Sequence, residues 1–251
     1  MTIRLRLLSH AMQLVIVVAF FGVWTALTRA HAVNPLFLPA IPVVAGSLAR
    51  LVRSDLFWSA VGVTASTTAI AYALAVAAGI AAGVVIGRSR LLTAALEPVI
   101  SGVFAIPIVL FFPMFVIMFG IGPPSKIVFG AVYGFFPIAL NTIAALSSVD
   151  PLYVRSARSQ GASALQLFRH VYLPAALPTI VTGMRIGFFI CFASVLGGET
   201  LTSASGIGHQ IARQGELLNS GPMYAWMVIV LAATIVLNLT LGALAGRVRK
   251  A

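Results

Sequence analysis

Apolar residues in this chain neither alternate nor recur on one face; they run on without interruption. Six windows are free of Asp, Glu, Lys and Arg except for one arginine in the fifth: residues 11–28, 56–87, 98–125, 127–149, 171–198 and 217–246. A helical crossing of a bilayer needs about 20 predominantly apolar residues. Lipid leaves only helices and closed barrels, because every backbone polar group must be satisfied internally. Unbroken runs rather than alternating segments of about ten residues exclude the barrel. The pattern therefore predicts an all-α integral membrane protein, one domain over residues 1–251. Its six transmembrane helices fall at approximately 11–29, 60–87, 97–119, 127–147, 177–197 and 223–246.

Finer patterns shape these spans. Ala71, Ala75, Gly79, Gly83 and Gly87 recur every four residues in the second, a small-residue stripe where another helix backbone can approach closely. Pro98, Pro107 and Pro113 in the third predict a kinked helix. Phe111, Phe112, Phe115 and Phe119 lie along it as lipid or core contacts. Three polar stretches separate the spans. Residues 33–55 read as an outer loop ending in a small interfacial helix, with Leu48, Leu51 and Val52 on one face and Arg50 and Arg53 on another. Residues 197–222 read as an outer loop with one short helix near Ile207 to Ala212, leaving Glu199 and Glu216 solvated.

The third polar stretch, residues 150–174, "DPLYVRSARSQGASALQLFRHVYLP", is the most structured. Asp150 followed by Pro151 fits a helix start, and Gly161 fits its end. Ser163 with Gln166 three residues later fits a capping box, opening a second short helix from Ala164 to about His170. Pro174 and Pro178 then punctuate the entry to the fifth span. Val154, Ala157, Leu165 and Phe168 supply the apolar contacts of this helix-turn-helix, while Arg155, Arg158 and Arg169 face water or headgroups.

Composition agrees with the pattern: 60% hydrophobic, 8% charged and a mean hydropathy of +1.06. The single cysteine, Cys191, excludes a disulfide within the chain. A net charge of +11 invites a nucleic-acid reading, but topology explains it better. With a cytoplasmic N-terminus and six crossings, ten of sixteen cations fall inside: Arg4, Arg6, Arg88, Arg90, Arg155, Arg158, Arg169, Arg247, Arg249 and Lys250. Arg29, Arg50, Arg53, Lys126 and Arg213 fall outside, as the positive-inside rule expects. A secretory signal ending at the "AHA" of Ala30 to Ala32 is the competing reading of the N-terminus. The apolar run of residues 11–28 is longer than the roughly 7–15 residues of such a signal's core.

Spacing within 150–174 carries a resemblance. Ala157, then Gly161, then Val171-Tyr172-Leu173-Pro174 after nine residues is similar to the E-A-A-x3-G-x9-I-x-L-P loop of ABC importer permeases. Two positions depart from it: Arg155 stands where the motif has Glu, and Ser156 where it has the first Ala. Further stretches in family order, "LFLPAIPVV", "GIAAGVVIGRSR", "LEPVISGVFAIPIVLFFPMFVIMFGIG", "FFPIALNT" and "LPAALPTIVTGMRIG", resemble the branch serving nitrate, sulfonate and taurine. The resemblance covers nearly the whole chain.

The resemblance implies the six-helix fold of the MetI-like permeases, two copies forming a pore, in a bacterial cytoplasmic membrane with both termini inside. It implies two ABC ATPase subunits docked on Arg155, Ser156, Ala157, Gly161, Ala162, Leu165, Val171, Leu173 and Pro174. An external periplasmic or lipid-anchored solute-binding protein would deliver a small oxyanion or sulfonate-like solute. A larger organic solute, such as a vitamin precursor, is the alternative within the family. An ion-coupled secondary transporter or channel is the alternative outside it, opposed by the scarcity of intramembrane carboxylates.

Other chemistry is missing from the sequence. No G-x-x-x-x-G-K-[ST] is present, so ATP is hydrolysed on a separate subunit. His10, His31, His170 and His209 are scattered without metal-ligand spacing, "SASGIG" around Ser205 is no nucleophile elbow, and neither metal nor cofactor is expected. Candidates for a substrate path are Pro107, Phe111, Pro113, Asn141, Arg185 and Glu199. Each has a plainer reading. Arg185, about 16 Å along its helix from Pro174, could snorkel or pair with Glu97. Asn141 and Thr142 could bond between helices.

Overall fold

The computed structural model describes residues 3–248. Arg249 and Lys250, counted above with the inner cations, lie outside the described residues, and Arg4, Arg6 and Arg247 are described in their backbone only. The helices are α1 (Ile3–Arg29), α2 (Ile41–Val52), α3 (Asp55–Gly87), α4 (Arg90–Ala105), α5 (Phe112–Phe119), α6 (Pro123–Ser147), α7 (Pro151–Ser159), α8 (Ala164–Leu167), α9 (Leu173–Leu201), α10 (Ile207–Glu216) and α11 (Ser220–Val248). No strand occurs among the described residues. Among the described residues, five helices are long and apolar enough to cross a bilayer, or six if one bent pair counts as a single crossing.

Two compact units make up the chain. The first holds the residues up to Ser59 together with Gln210–Leu231. Its α1 is exposed on every side over residues 11–23, the mark of a helix whose solvent is lipid. The proline-rich loop before α2 is strapped by side-chain donors to its carbonyls: Trp24 Nε1 to Pro39 O at 2.9 Å, Ser220 Oγ to Pro35 O at 2.9 Å and Tyr224 Oη to Phe37 O at 2.8 Å. The inward face of α2 is Val44 and Ser47, with Leu48 and Leu51 half-buried. Val52, expected on that face, is exposed, because a helical stripe three and four residues apart runs from 44 to 51 and leaves 52 a further 100° round.

The second unit holds Ala60–His209 and the residues from Ala232 onward. Its centre is α6, gripped by α3 on one side and α9 on the other. Ile138 is fully buried, wedged between two glycines. A methyl group added at Gly79 of α3 would lie 2.8 Å from its Cγ2, and one at Gly187 of α9 would lie 2.5 Å from its Cγ1. Gly83 and Gly183 repeat the arrangement, 2.4 Å from Thr142 Cβ and 2.5 Å from Asn141 Cβ respectively. The stripe of the second span therefore packs within its own chain. Asn141 and Thr142 do not bond between helices as expected. Each bonds the carbonyl one turn back, Asn141 Nδ2 to Pro137 O at 2.8 Å and Thr142 Oγ1 to Ile138 O at 2.7 Å, which satisfies the polar group locally while its carbons fill the glycine notch.

The third window is broken rather than kinked. Ile106, ahead of Pro107, is extended at φ −71°, ψ 134°, as a pre-proline residue prefers. A 3₁₀ turn over Ile108–Phe111 leads into α5, and the two arms are bent by 72°. Pro98 stays inside α4, and Pro113 falls in the first turn of α5, where its missing N–H costs nothing. Ile108 and Phe112 of the break join Phe129 and Phe136 of α6 in one buried cluster.

Gly187→Ala is expected to lower the thermal unfolding midpoint in detergent, at an overpacking cost of about 1–3 kcal/mol. Gly62→Ala, on α3 with nothing within 4 Å of the added methyl, is expected to be neutral or stabilising, since Ala suits a helix better than Gly. Equal midpoints for the two variants would contradict the packing described here.

Candidate functional site

Residues 150–174 fold into a preorganised elbow. The Asp150 carboxylate accepts from Leu152 N at 2.8 Å and caps α7. At its far end Gly161 takes φ +80°, with Gly161 N donating to Arg158 O at 2.9 Å and Ala162 N to Ala157 O at 3.1 Å. That pair of bonds is the Schellman arrangement, which needs a left-handed residue where glycine alone escapes a steric cost. Ser163 and Gln166 form the reciprocal capping box: Gln166 N donates to Ser163 Oγ at 3.3 Å and Ser163 N to Gln166 Oε1 at 2.8 Å.

Two expectations fail in the second arm. α8 does not stop near His170: a π turn over Phe168–Tyr172 carries it into α9, so residues 164–201 form one continuous helix. A proline ring normally clashes with the carbonyl four residues back, and the wide turn just before Pro174 relieves that crowding. The inward leucine also differs from the one expected. Val154 and Leu167 are buried, whereas Leu165 is 75% exposed. It joins Leu152 and Tyr153, 67% and 62% exposed, in an uncovered apolar set on the elbow. Arg155 and Ser156 are exposed, and Ala157 and Ala162 half-buried. With Gly161 and Val171 the two alanines line a shallow concavity. Leu173 and Pro174 sit in the first turn of α9.

The candidates for a substrate path fall in separate places. Pro107, Phe111 and Pro113 are exposed at the break between α4 and α5. Asn141 is pressed against Gly183. Arg185 does not pair with Glu97; its Nη2 donates to Asn238 Oδ1 at 2.5 Å, joining α9 to α11. A neutral amide oxygen gives this cation a partner without importing a second charge.

Glu199 is the largest departure from expectation. It lies inside α9, 2% exposed, not in a solvated loop. Thr64 Oγ1 reaches both carboxylate oxygens at 3.0 and 2.9 Å, and Gly208 N donates to Oε2 at 2.9 Å. Ile207 N in turn donates to Thr64 Oγ1 at 2.8 Å. The start of α10 is thereby tied to α3 and α9. Gly206, at φ +100°, and Gly208 leave no room for a Cβ beside the carboxylate and its helix. Lys126, assigned above to the outer charges, is also buried; its Nζ caps the carbonyls of Ile121 and Gly122. Thr64 was not foreseen, because nothing local links residues 135 positions apart.

Gly161→Ala is expected to loosen the elbow by about 1–2 kcal/mol, the cost of a left-handed residue with a side chain, and Ser163→Ala by about 0.5–2 kcal/mol. Both should speed amide exchange over residues 150–172 and leave α6 unchanged. Unaltered exchange in the elbow would contradict this assignment of its caps.

Comparison with known proteins follows the same lines. Residues 75–250 match the family described as binding-protein-dependent transport system inner membrane component. The taurine transport system permease protein TauC of Escherichia coli (strain K12) is 33% identical over 230 residues, covering 90% of this chain and 84% of that protein. The riboflavin transport system permease protein RibX of Chloroflexus aurantiacus is 34% identical over 223 residues, covering 89% and 82%. Among solved structures, an inward-facing MetNI methionine ABC transporter chain superposes with a TM-score of 0.65 at 21% identity, covering 74% of this chain and 93% of that one, a likeness of fold. Five or six apolar crossings among the described residues, an elbow at the E-A-A-like spacing and these matches lead to one conclusion: this chain belongs to the family of binding-protein-dependent transport system inner membrane components.

Proposed function

We propose that this chain is the membrane-spanning subunit of an ATP-driven importer, and that the elbow of α7 and α8 seats a separate ABC ATPase subunit. One observation carries the reading. Leu152, Tyr153 and Leu165 project from a rigidly capped elbow with 60% or more of their surface uncovered, an arrangement that water disfavours and a partner groove would cover. Arg155 is exposed at the motif's glutamate position, so the ATPase groove that receives it carries an acidic or neutral counterpart. In this reading two copies of the chain form the pore. The cation-rich ends lie in the cytoplasm with both termini, and an external binding protein delivers the solute to the other side of a bacterial inner membrane. Closure of the ATPase pair pushes the elbows and reverses the access of the pore.

For the solute we infer a small sulfonate or oxyanion, supported by the likeness to the taurine permease. A second solute class, a larger organic molecule, is supported by the likeness to the riboflavin permease. Arg185 and Asn238 are proposed to lie on the solute's route, and Arg185→Leu should then cut uptake at normal membrane levels.

Cysteines placed at Ala157 and Ala162 are expected to crosslink to an ABC ATPase subunit in transporting cells. Leu165→Asp should weaken ATPase binding by about tenfold or more, as loss of a central apolar anchor does, with the permease still folded and inserted. Transport at the normal rate without capture of any ATPase would overturn the docking reading. Uptake of taurine, nitrate and riboflavin into vesicles holding the reconstituted complex then separates the two solute classes.

A further inference from the structure

The turn joining α3 to α4, the last turn of α6 and the length of α7 enclose a cleft of about 580 Å³ whose lining includes Arg88, Arg90, Arg155 and Arg158. No carboxylate is among the residues that line it. Four guanidiniums around one cavity repel one another unless an anion sits among them. One of the four is already held in place: the Arg88 guanidinium lies over the Phe168 ring, 5.4 Å from its centroid. Behind the arginines the wall turns apolar, with Leu146 and Val154.

The cleft's position narrows the choice of anion. Gly87 is the last residue of the apolar α3 and Arg88 follows it directly; Leu146 is in the last turn of α6. The cleft therefore lies where two apolar crossings reach their polar boundary. Beside Arg90, Leu91 is 78% exposed, as a side chain bathed in acyl chains would be. The uncovered set of the elbow, Leu152, Tyr153 and Leu165, does not line the cleft, although Arg155 of the same elbow does. We propose that this cleft binds the phosphate headgroup of an anionic glycerophospholipid. The guanidiniums of Arg88, Arg90 and Arg158 hold the phosphate oxygens, with Arg155 left to the ATPase groove, and the apolar wall takes the glycerol end of the acyl chains. Planar guanidinium forks suit phosphate bidentately, and basic pockets at the cytoplasmic ends of membrane helices attract anionic headgroups by roughly one tenfold step for every one or two cations.

The test is native mass spectrometry of the full-length, delipidated chain titrated separately with phosphatidylglycerol, phosphatidylcholine and inorganic phosphate. Phosphatidylglycerol should bind at one dominant site, about tenfold or more tighter than phosphatidylcholine. The Arg88→Gln/Arg90→Gln pair should weaken it by about 10- to 30-fold at an unchanged unfolding midpoint. If that pair fails to fold, Arg90→Gln alone, which leaves the ring contact of Arg88 intact, should still weaken it about fivefold. Equal binding of the two lipids, or binding untouched by the arginine variants, would overturn the proposal. Displacement of the lipid by equimolar inorganic phosphate would also overturn it, making free phosphate the ligand. So would its complete displacement by added ATPase subunits, which would make the cleft a protein interface.

Discussion

Two helices can approach as closely as α6 approaches α3 and α9 only where side chains are missing, and the rest of the structure depends on that approach. In lipid no hydrophobic force drives helices together, so association rests on close van der Waals packing and helix-to-helix hydrogen bonds. Ile138 fills the notches of Gly79 and Gly187 at once, and Thr142 and Asn141 fill those of Gly83 and Gly183. Tyr72 adds a bond from α3 to α9 through Met184 O at 3.2 Å. A wedge with glycine on both sides has no room to slide, which makes α3, α6 and α9 one stiff block.

The elbow is spliced into that block. Only residues 148–150 separate α7 from α6, and no break separates α8 from α9. A load placed on the elbow thus enters two helices already locked to each other. Arg88 over Phe168 adds a contact from the α3–α4 turn to the π turn. At the other end of α9, Glu199 ties Thr64 of α3 and the first residues of α10. A cation–ring contact on the π turn ahead of α9 and a polar fastening near its far end thus bracket the glycine contacts. The break at Pro107 stands outside this frame, as a bent pair resting on the aromatic cluster of α6.

Much of this was legible in the sequence because its causes are local. Asp150 with Pro151, Gly161, and Ser163 with Gln166 announce their caps within a few residues, and the structure carries all three. The four-residue stripe from Ala71 to Gly87 marked a close-packed face, though not its partner. What was missed depends on distant or competing forces. Glu199 looked solvated because its polar neighbours did; its burial is made possible by Thr64 far along the chain. Leu165 and Leu167 are both apolar, and in a four-residue helix periodicity does not announce which one is buried. Asn141 and Thr142 carried groups able to bond between helices, but a carbonyl one turn back was nearer. Pro107 and Pro113 signalled a bend without revealing that the chain stops and restarts there.

The central claim is that the elbow and the α6–α9 pair move as one body when nucleotide binds. Spin labels at Ser159 on the elbow and Ile186 on α9, both exposed, measure it by pulsed electron resonance in the complex with the proposed ATPase subunits. The account predicts an unchanged distance between them with and without ATP, while the distance between the Ile186 labels of the two proposed copies shifts. A change between Ser159 and Ile186 on adding ATP would show that the elbow hinges at the π turn, and would contradict the account.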